Sequence, residues 1–119
     1  MNKILLTTIP LILLLSCQNQ TIEPTENTSW VFVANEGNFG ASNGSISMID
    51  EHGNVFKTED IGDVVQSLEV YGDKLIVLIN NSHKIKIYEI TSNGLSMPGI
   101  EVNTNNSSPR DLTIINNKA

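Results

Sequence analysis

The chain has 119 residues, enough for one small domain, and carries seven basic and thirteen acidic side chains, a net charge of −6 with a pI near 4.7. Its few basic residues are scattered, which excludes a phosphate-binding surface and with it nucleic acid as a partner. Cys17 is the single cysteine, so no internal disulfide framework is possible.

Met1-Asn2-Lys3 is a short positive start, and Ile4 to Leu15 is an apolar run interrupted by two threonines and Pro10. The run is shorter than the stretch of about 20 apolar residues that spans a bilayer, but it fits a secretory signal. Leu14-Leu15-Ser16-Cys17 resembles the lipobox of bacterial lipoproteins. That resemblance implies cleavage of residues 1–16 and lipidation of Cys17; the plainer alternative is a secretory signal with an incidental cysteine. Two or more acyl chains give stable anchoring where one is marginal. Loss of residues 1–16 removes only Lys3 among the charged side chains, leaving a net charge of −7. Residues 17–29 are then the lipidated cysteine and a polar, Pro-containing tether without periodicity.

Residues 30–119 read as all-β. Trp30 to Asn35 is β-branched and aromatic, a strand. Glu36 to Gly44, with three glycines, is a loop. Ser45 to Asp50 alternates polar and apolar residues, as a strand with one buried face does. Glu51 to Asn54 turns into a weaker strand, Val55 to Thr58, and Glu59 to Val65 is a connector. Gln66 to Tyr71 and Leu75 to Asn80 form a hairpin around Gly72-Asp73. Asn81-Ser82-His83 turns into Lys84 to Ile90, expected to point Ile85, Ile87 and Ile90 inward. Leu95 to Val102, broken by Pro98-Gly99, reads as an irregular edge strand, where proline is tolerated. Asn103 to Pro109 is a polar connector, and Arg110 to Ala119 restarts the pattern of Gln66 onward.

The restart is regular. Gln66/Arg110, Leu68/Leu112, Val70/Ile114 and Lys74/Lys118 all differ by 44 positions. Trp30–Asn35 falls on Leu75–Asn80 at an offset of 45, and Ser45–Asp50 on Lys84–Glu89 at 39, the difference being a longer loop in the first unit. A period of about 40–45 residues with several short strands per unit is the signature of propeller blades. The blades are expected as four-stranded antiparallel sheets: blade 1 over residues 30–65, blade 2 over 66–109 and the start of blade 3 over 110–119. Blade 1 has no inner strand and blade 3 stops after one. Two blades do not close a ring of four to eight, so the chain is expected to be an N-terminal fragment. The competing reading is a short protein that stays open or oligomerises.

VFVANEGNFGASNGSISMID, QSLEVYGDKLIVLINNSHKIKIYEI and the later PRDL resemble the YncE-like, YVTN-type β-propeller lipoproteins of Bacteroidota, over Trp30 to Ala119. Asn35-Glu36-Gly37-Asn38-Phe39, Gln66-Ser67 and Tyr71-Gly72-Asp73-Lys74 carry most of the likeness. The resemblance implies a seven-bladed propeller anchored in the outer membrane. Some members sit beside TonB-dependent transporters, the cobamide-capturing BtuG-like proteins among them.

Alternation of strand direction places the loops Glu36 to Asn43, Asn81 to His83, Glu59 to Val65 and Asn103 to Pro109 on one face. Candidate ligand-binding residues there are Asn35, Glu36, Asn38, Phe39, Gln66, Asn81 and Arg110, with Gln66 and Arg110 heading successive inner strands. Amides, an aromatic ring, carboxylates and one arginine suit a polar, multi-amide ligand better than catalysis. Each also has a bland role: Asn35 and Asn80 as caps of their own backbone, Phe39 packed under its loop, Arg110 paired with a carboxylate. His52 and His83 fall on opposite faces, so a shared metal site is not expected. Glu59, Asp60 and Asp63 read as a solvated acidic connector rather than a Ca²⁺ loop. No catalytic, metal or cofactor site is expected. The leading function is capture of a nutrient, such as a cobamide, for an outer-membrane transporter. An envelope interaction scaffold is the alternative, and a propeller enzyme such as a lactonase or quinoprotein-like dehydrogenase a third.

Overall fold

The computed structural model describes residues 29–116; the leader, Cys17, most of the tether and Lys118 lie outside them. No helix occurs among the described residues, and the chain forms two antiparallel sheets. It is an all-β fold. The first sheet has the order β1 (Val31–Asn35), β2 (Ser45–Ile49), β3 (Val55–Lys57). The second runs β4 (Val65–Tyr71), β5 (Lys74–Ile79), β6 (Lys84–Thr91), with β7 (Gly94–Leu95) and β8 (Ile100–Asn103) both on β6. Every strand expected from alternation and turn residues between 30 and 90 is present within one or two residues.

The outer strand differs from expectation. Leu95 to Val102 is two short strands: β7 pairs with Ile90 and Thr91, while β8 pairs with Lys84 to Ile87. Ser96 to Gly99 breaks the edge between them. Gly99 makes this break possible, since it has φ +76° and an added Cβ would stand 2.6 Å from Tyr88 Cδ1 and 2.7 Å from the Ile87 carbonyl oxygen. The expected restart at Arg110 is not a strand among the described residues, although Leu112 and Ile114 are half-buried between exposed neighbours.

The core lies between the sheets. Ile46, Leu75, Val77, Ile79 and Tyr88 are buried in it, and Phe32, Ala34, Met48, Leu68 and Ile90 pack around them. Ile61, Val65 and Leu95 complete it. Sheet packs on sheet, which is how neighbouring blades sit. The end of the β6–β7 hairpin is fastened to the first sheet, as Trp30 Nε1 donates to the Thr91 carbonyl at 3.0 Å. The Trp30 ring meets Phe56 edge-on at 6.0 Å.

Strand period explains a second difference. Leu75 opposes Tyr88 across β5 and β6, whereas Ile76 opposes Ile87 and Leu78 opposes Ile85. Side chains alternate between faces, so Tyr88 and Ile90 point into the shared core while Ile85 and Ile87 point to the other side. The expected inward set of Ile85, Ile87 and Ile90 mixed the two faces. Both faces of this sheet are aliphatic, which hides the parity from a reading of hydrophobicity alone.

A β-bulge at the head of β4 leaves Gln66 out of the strand pairing. Val65 pairs with Ile79, and the next paired residue, Ser67, faces Leu78. The extra residue lets Val65 and Leu68, three apart, both reach the core. Gln66 is the residue left over, and it is exposed.

Candidate functional site

The loops expected on one face are tied together there by hydrogen bonds. Asp63, in the connector between the sheets, is their hub. It is only 5% exposed. Both carboxylate oxygens accept from the Gly40 N–H at 3.0 Å, and Oδ2 also accepts from the Asn81 side-chain amide. The Asp63 N–H donates to Ser82 Oγ at 2.8 Å, and its carbonyl accepts from the Asn81 N–H at 3.2 Å. One carboxylate thus joins the β1–β2 loop, the connector and the β5–β6 turn. A carboxylate suits this place because it only accepts, and all the groups converging on it donate.

The same end is closed on both sides. Gly44 and Gly62 form an isolated antiparallel bridge, with the Gly44 N–H donating to the Gly62 carbonyl at 2.8 Å. A Cβ on Gly44 would lie 2.8 Å from the Glu36 carbonyl oxygen, so only glycine fits where the loop crosses the connector. On the other side Asn80 Nδ2 donates to the Pro109 carbonyl at 3.0 Å, and His83 Nδ1 lies 3.2 Å from the Ser107 carbonyl. These contacts bring the connector Asn103 to Pro109 onto the same end.

Val64 sits at the centre of this arrangement, buried, with φ +62°. A β-branched residue avoids that region. The flanking hydrogen bonds hold it, since its own carbonyl accepts from the Asn80 N–H at 2.8 Å. Strain of this kind persists only where the surroundings over-determine the backbone.

The expected site residues divide into two groups. Asn35 is tied to the neighbouring strand: its side-chain amide donates to Ser45 Oγ at 3.2 Å and Ser47 Oγ at 3.0 Å, across the β1–β2 pair rather than onto its own backbone. Asn81 is held by Asp63. Glu36, Asn38, Phe39, Gln66 and Arg110 are exposed. Phe39 is 80% exposed and does not pack under its loop. Its loop is nonetheless fixed: the Asn38 N–H donates to Asn43 Oδ1 at 2.7 Å and the Ala41 N–H to the Asn38 carbonyl at 3.0 Å. The Glu36 carbonyl accepts from the Val65 N–H at 3.3 Å, which sets the head of β4, and with it Gln66, beside this loop. Arg110 follows the anchored Pro109 and has no ion pair among the described residues.

Asp63 and Ser82 escaped the sequence reading. Asp63 was expected in a solvated acidic run, and only the meeting of three loops, distant in sequence, gives its carboxylate a reason to be buried. The turn-like SHK and IGD patterns around them carry no separate signal. Among the described residues no group of three or more His, Cys, Asp or Glu side chains is placed to hold a metal ion. Compared with models of known protein families and with curated proteins, the chain matches none.

Proposed function

We propose that the chain belongs to a lipid-anchored, YncE-like β-propeller of the bacterial cell surface. Its loop-bearing end captures a nutrient for an outer-membrane, TonB-dependent transporter. The observation that carries this reading is the single end on which Asp63 gathers three loops while leaving Asn38, Phe39, Gln66 and Arg110 exposed. Loops held on a rigid scaffold are where binding residues concentrate. Two sheets stacked in sequence order support the propeller, and Leu14-Leu15-Ser16-Cys17 supports the anchor.

Thermal melting of the whole chain with cobamides, haem or neutral glycans tests the capture. Ligand at about a hundred times its Kd adds about 2.7 kcal/mol of stability, which raises the melting temperature of a small domain by several degrees. A rise with one class supports the reading, and no rise with any class removes it. Fractionation tests the anchor: Cys17→Ser is expected to move the protein from the membrane to the soluble fraction, and continued membrane association refutes lipidation.

A second reading, an envelope interaction scaffold, draws on the blade rim. All four residues of β8 are exposed, with Ile100 at 63% and Val102 at 44%, and the strand is an open edge. Such an edge is a template for another chain's strand.

A further inference from the structure

We infer that the chain stacks head-to-tail on copies of itself, the outer side of the second sheet against the outer side of the first, and closes a ring of two to four copies. This goes beyond the capture reading and does not depend on it. The equivalence of the two sheets carries it. With Ser45–Asp50 laid on Lys84–Glu89 at the offset of 39, Ile46 corresponds to Ile85 and Met48 to Ile87. Their partners across the ladders, Ala34 and Phe32, then correspond to Leu78 and Ile76. That offset is 44, the spacing of Gln66/Arg110, and one less than the 45 suggested by the strands taken singly. Phe32, Ala34, Ile46 and Met48 are the side of the first sheet that packs on the second. Ile76, Leu78, Ile85 and Ile87 are therefore the same side of the second sheet, and it faces away from the first. Each repeat presents one side to the next repeat's opposite side, so a further first sheet would stack in the same sense.

Both outer sides are apolar. On the second sheet, Ile100 and Val102 stand opposite Ile87 and Ile85 and carry that side out to the rim, with Ile100 63% exposed. A hollow of about 270 Å³ opens there beside Ile87, Met97, Pro98 and Ile100. On the first sheet, Val31, Ile49 and Val55 form a row across all three strands, with Val31 58% and Val55 65% exposed. Val31 and Ile49 are the counterparts of Leu75 and Tyr88, which receive the first sheet inside the chain. One outer side is thus a plug and the other its socket, and the partner that fits either is a second copy of this chain. A contact between unlike patches of identical copies closes into a ring when its rotation divides a full turn. With two sheets in each copy, the four to eight blades of a closed propeller are two to four copies.

Sedimentation equilibrium of the whole chain in a density-matched detergent tests the ring. The protein mass is expected at two to four times that of one chain. Val31→Lys spoils only the socket and Ile100→Lys only the plug, and both residues are exposed, so neither change disturbs the core. Each variant alone is expected to sediment as a single chain. Mixed in equal amounts, the two are expected to form a dimer and nothing larger, because one intact plug then meets one intact socket. That dimer also shows that both variants are folded. A single-chain mass for the unaltered protein overturns the ring and leaves capture to its own test. Assemblies of more than four copies, an assembly that either variant leaves intact, or a mixture that stays monomeric overturn it as well.

Discussion

At the scale of single residues, two buried oxygens behave in opposite ways. Tyr88 is fully buried, and its hydroxyl has no hydrogen-bond partner among the described residues. Burial, with the Glu101 charge adding to it, pushes the phenol up to about 12. A buried hydroxyl without a partner costs about 1–3 kcal/mol. Tyr88→Phe is thus expected to be neutral or to stabilise the protein by about 1 kcal/mol, seen as an unchanged or higher urea midpoint. The sign of the pH effect follows from the raised value. The folded state holds the phenolic proton more tightly than the unfolded chain, so stability falls as pH rises from about 10 towards about 12. Tyr88→Phe should remove that part of the alkaline loss. Asp63 is the reverse case, a buried group whose acceptors are all used. Asp63→Ala orphans the Gly40 N–H and the Asn81 amide and is expected to cost about 2–6 kcal/mol, at about 1–3 per group. Faster amide exchange at Gly40 would accompany it, and unchanged exchange there would contradict the hub.

At the scale of elements, the strands follow from alternation and the turns from Gly72-Asp73 and Gly53-Asn54, so their positions were legible in the residues. Faces were less so. In β6 the isoleucines looked like the inward set because nothing in KIKIYEI says that a tyrosine outranks them; the register against Leu75 decides it. Long-range ties were not legible at all. Asn80 reaches Pro109, twenty-nine residues on, and Asp63 reaches back to Gly40. Such pairs depend on how two sheets stack, which local patterns do not encode. The β6–β8 pair makes a prediction of its own. Glu101 takes a charge-assisted hydrogen bond from Lys84 at 2.8 Å, with Lys86 at 3.6 Å on its other oxygen. The Lys84 bond, more than the Lys charges, holds its carboxyl below the usual range. A depressed folded value means the contribution is present above the unfolded value near 4.5 and is lost as pH falls below it. Both partners are partly exposed, so the effect is small and screened by salt. Glu101→Gln should flatten the acid limb of the stability profile at low ionic strength and change little at pH 7.

At the scale of the whole molecule, the two sheets share one core and should unfold together. Ile46, fully buried, is the first sheet's main contribution to a cluster drawn otherwise from the second sheet and the connector. Ile46→Ala is expected to cost about 2–5 kcal/mol. It should lower amide protection in β2 and β5 by the same free energy; loss confined to β2 would show that the sheets melt separately.

The second sheet also has Ile76, Leu78, Ile85 and Ile87 on the side turned away from that core, the first two buried. Fat on both sides makes a slab the filling of a sandwich rather than its crust. Ile76 and Leu78, already closed off from water, make that second side an interior surface too. A lysine put at Ile85 would be felt there first, as leakage of water into a seam that single-sheet proteins do not have.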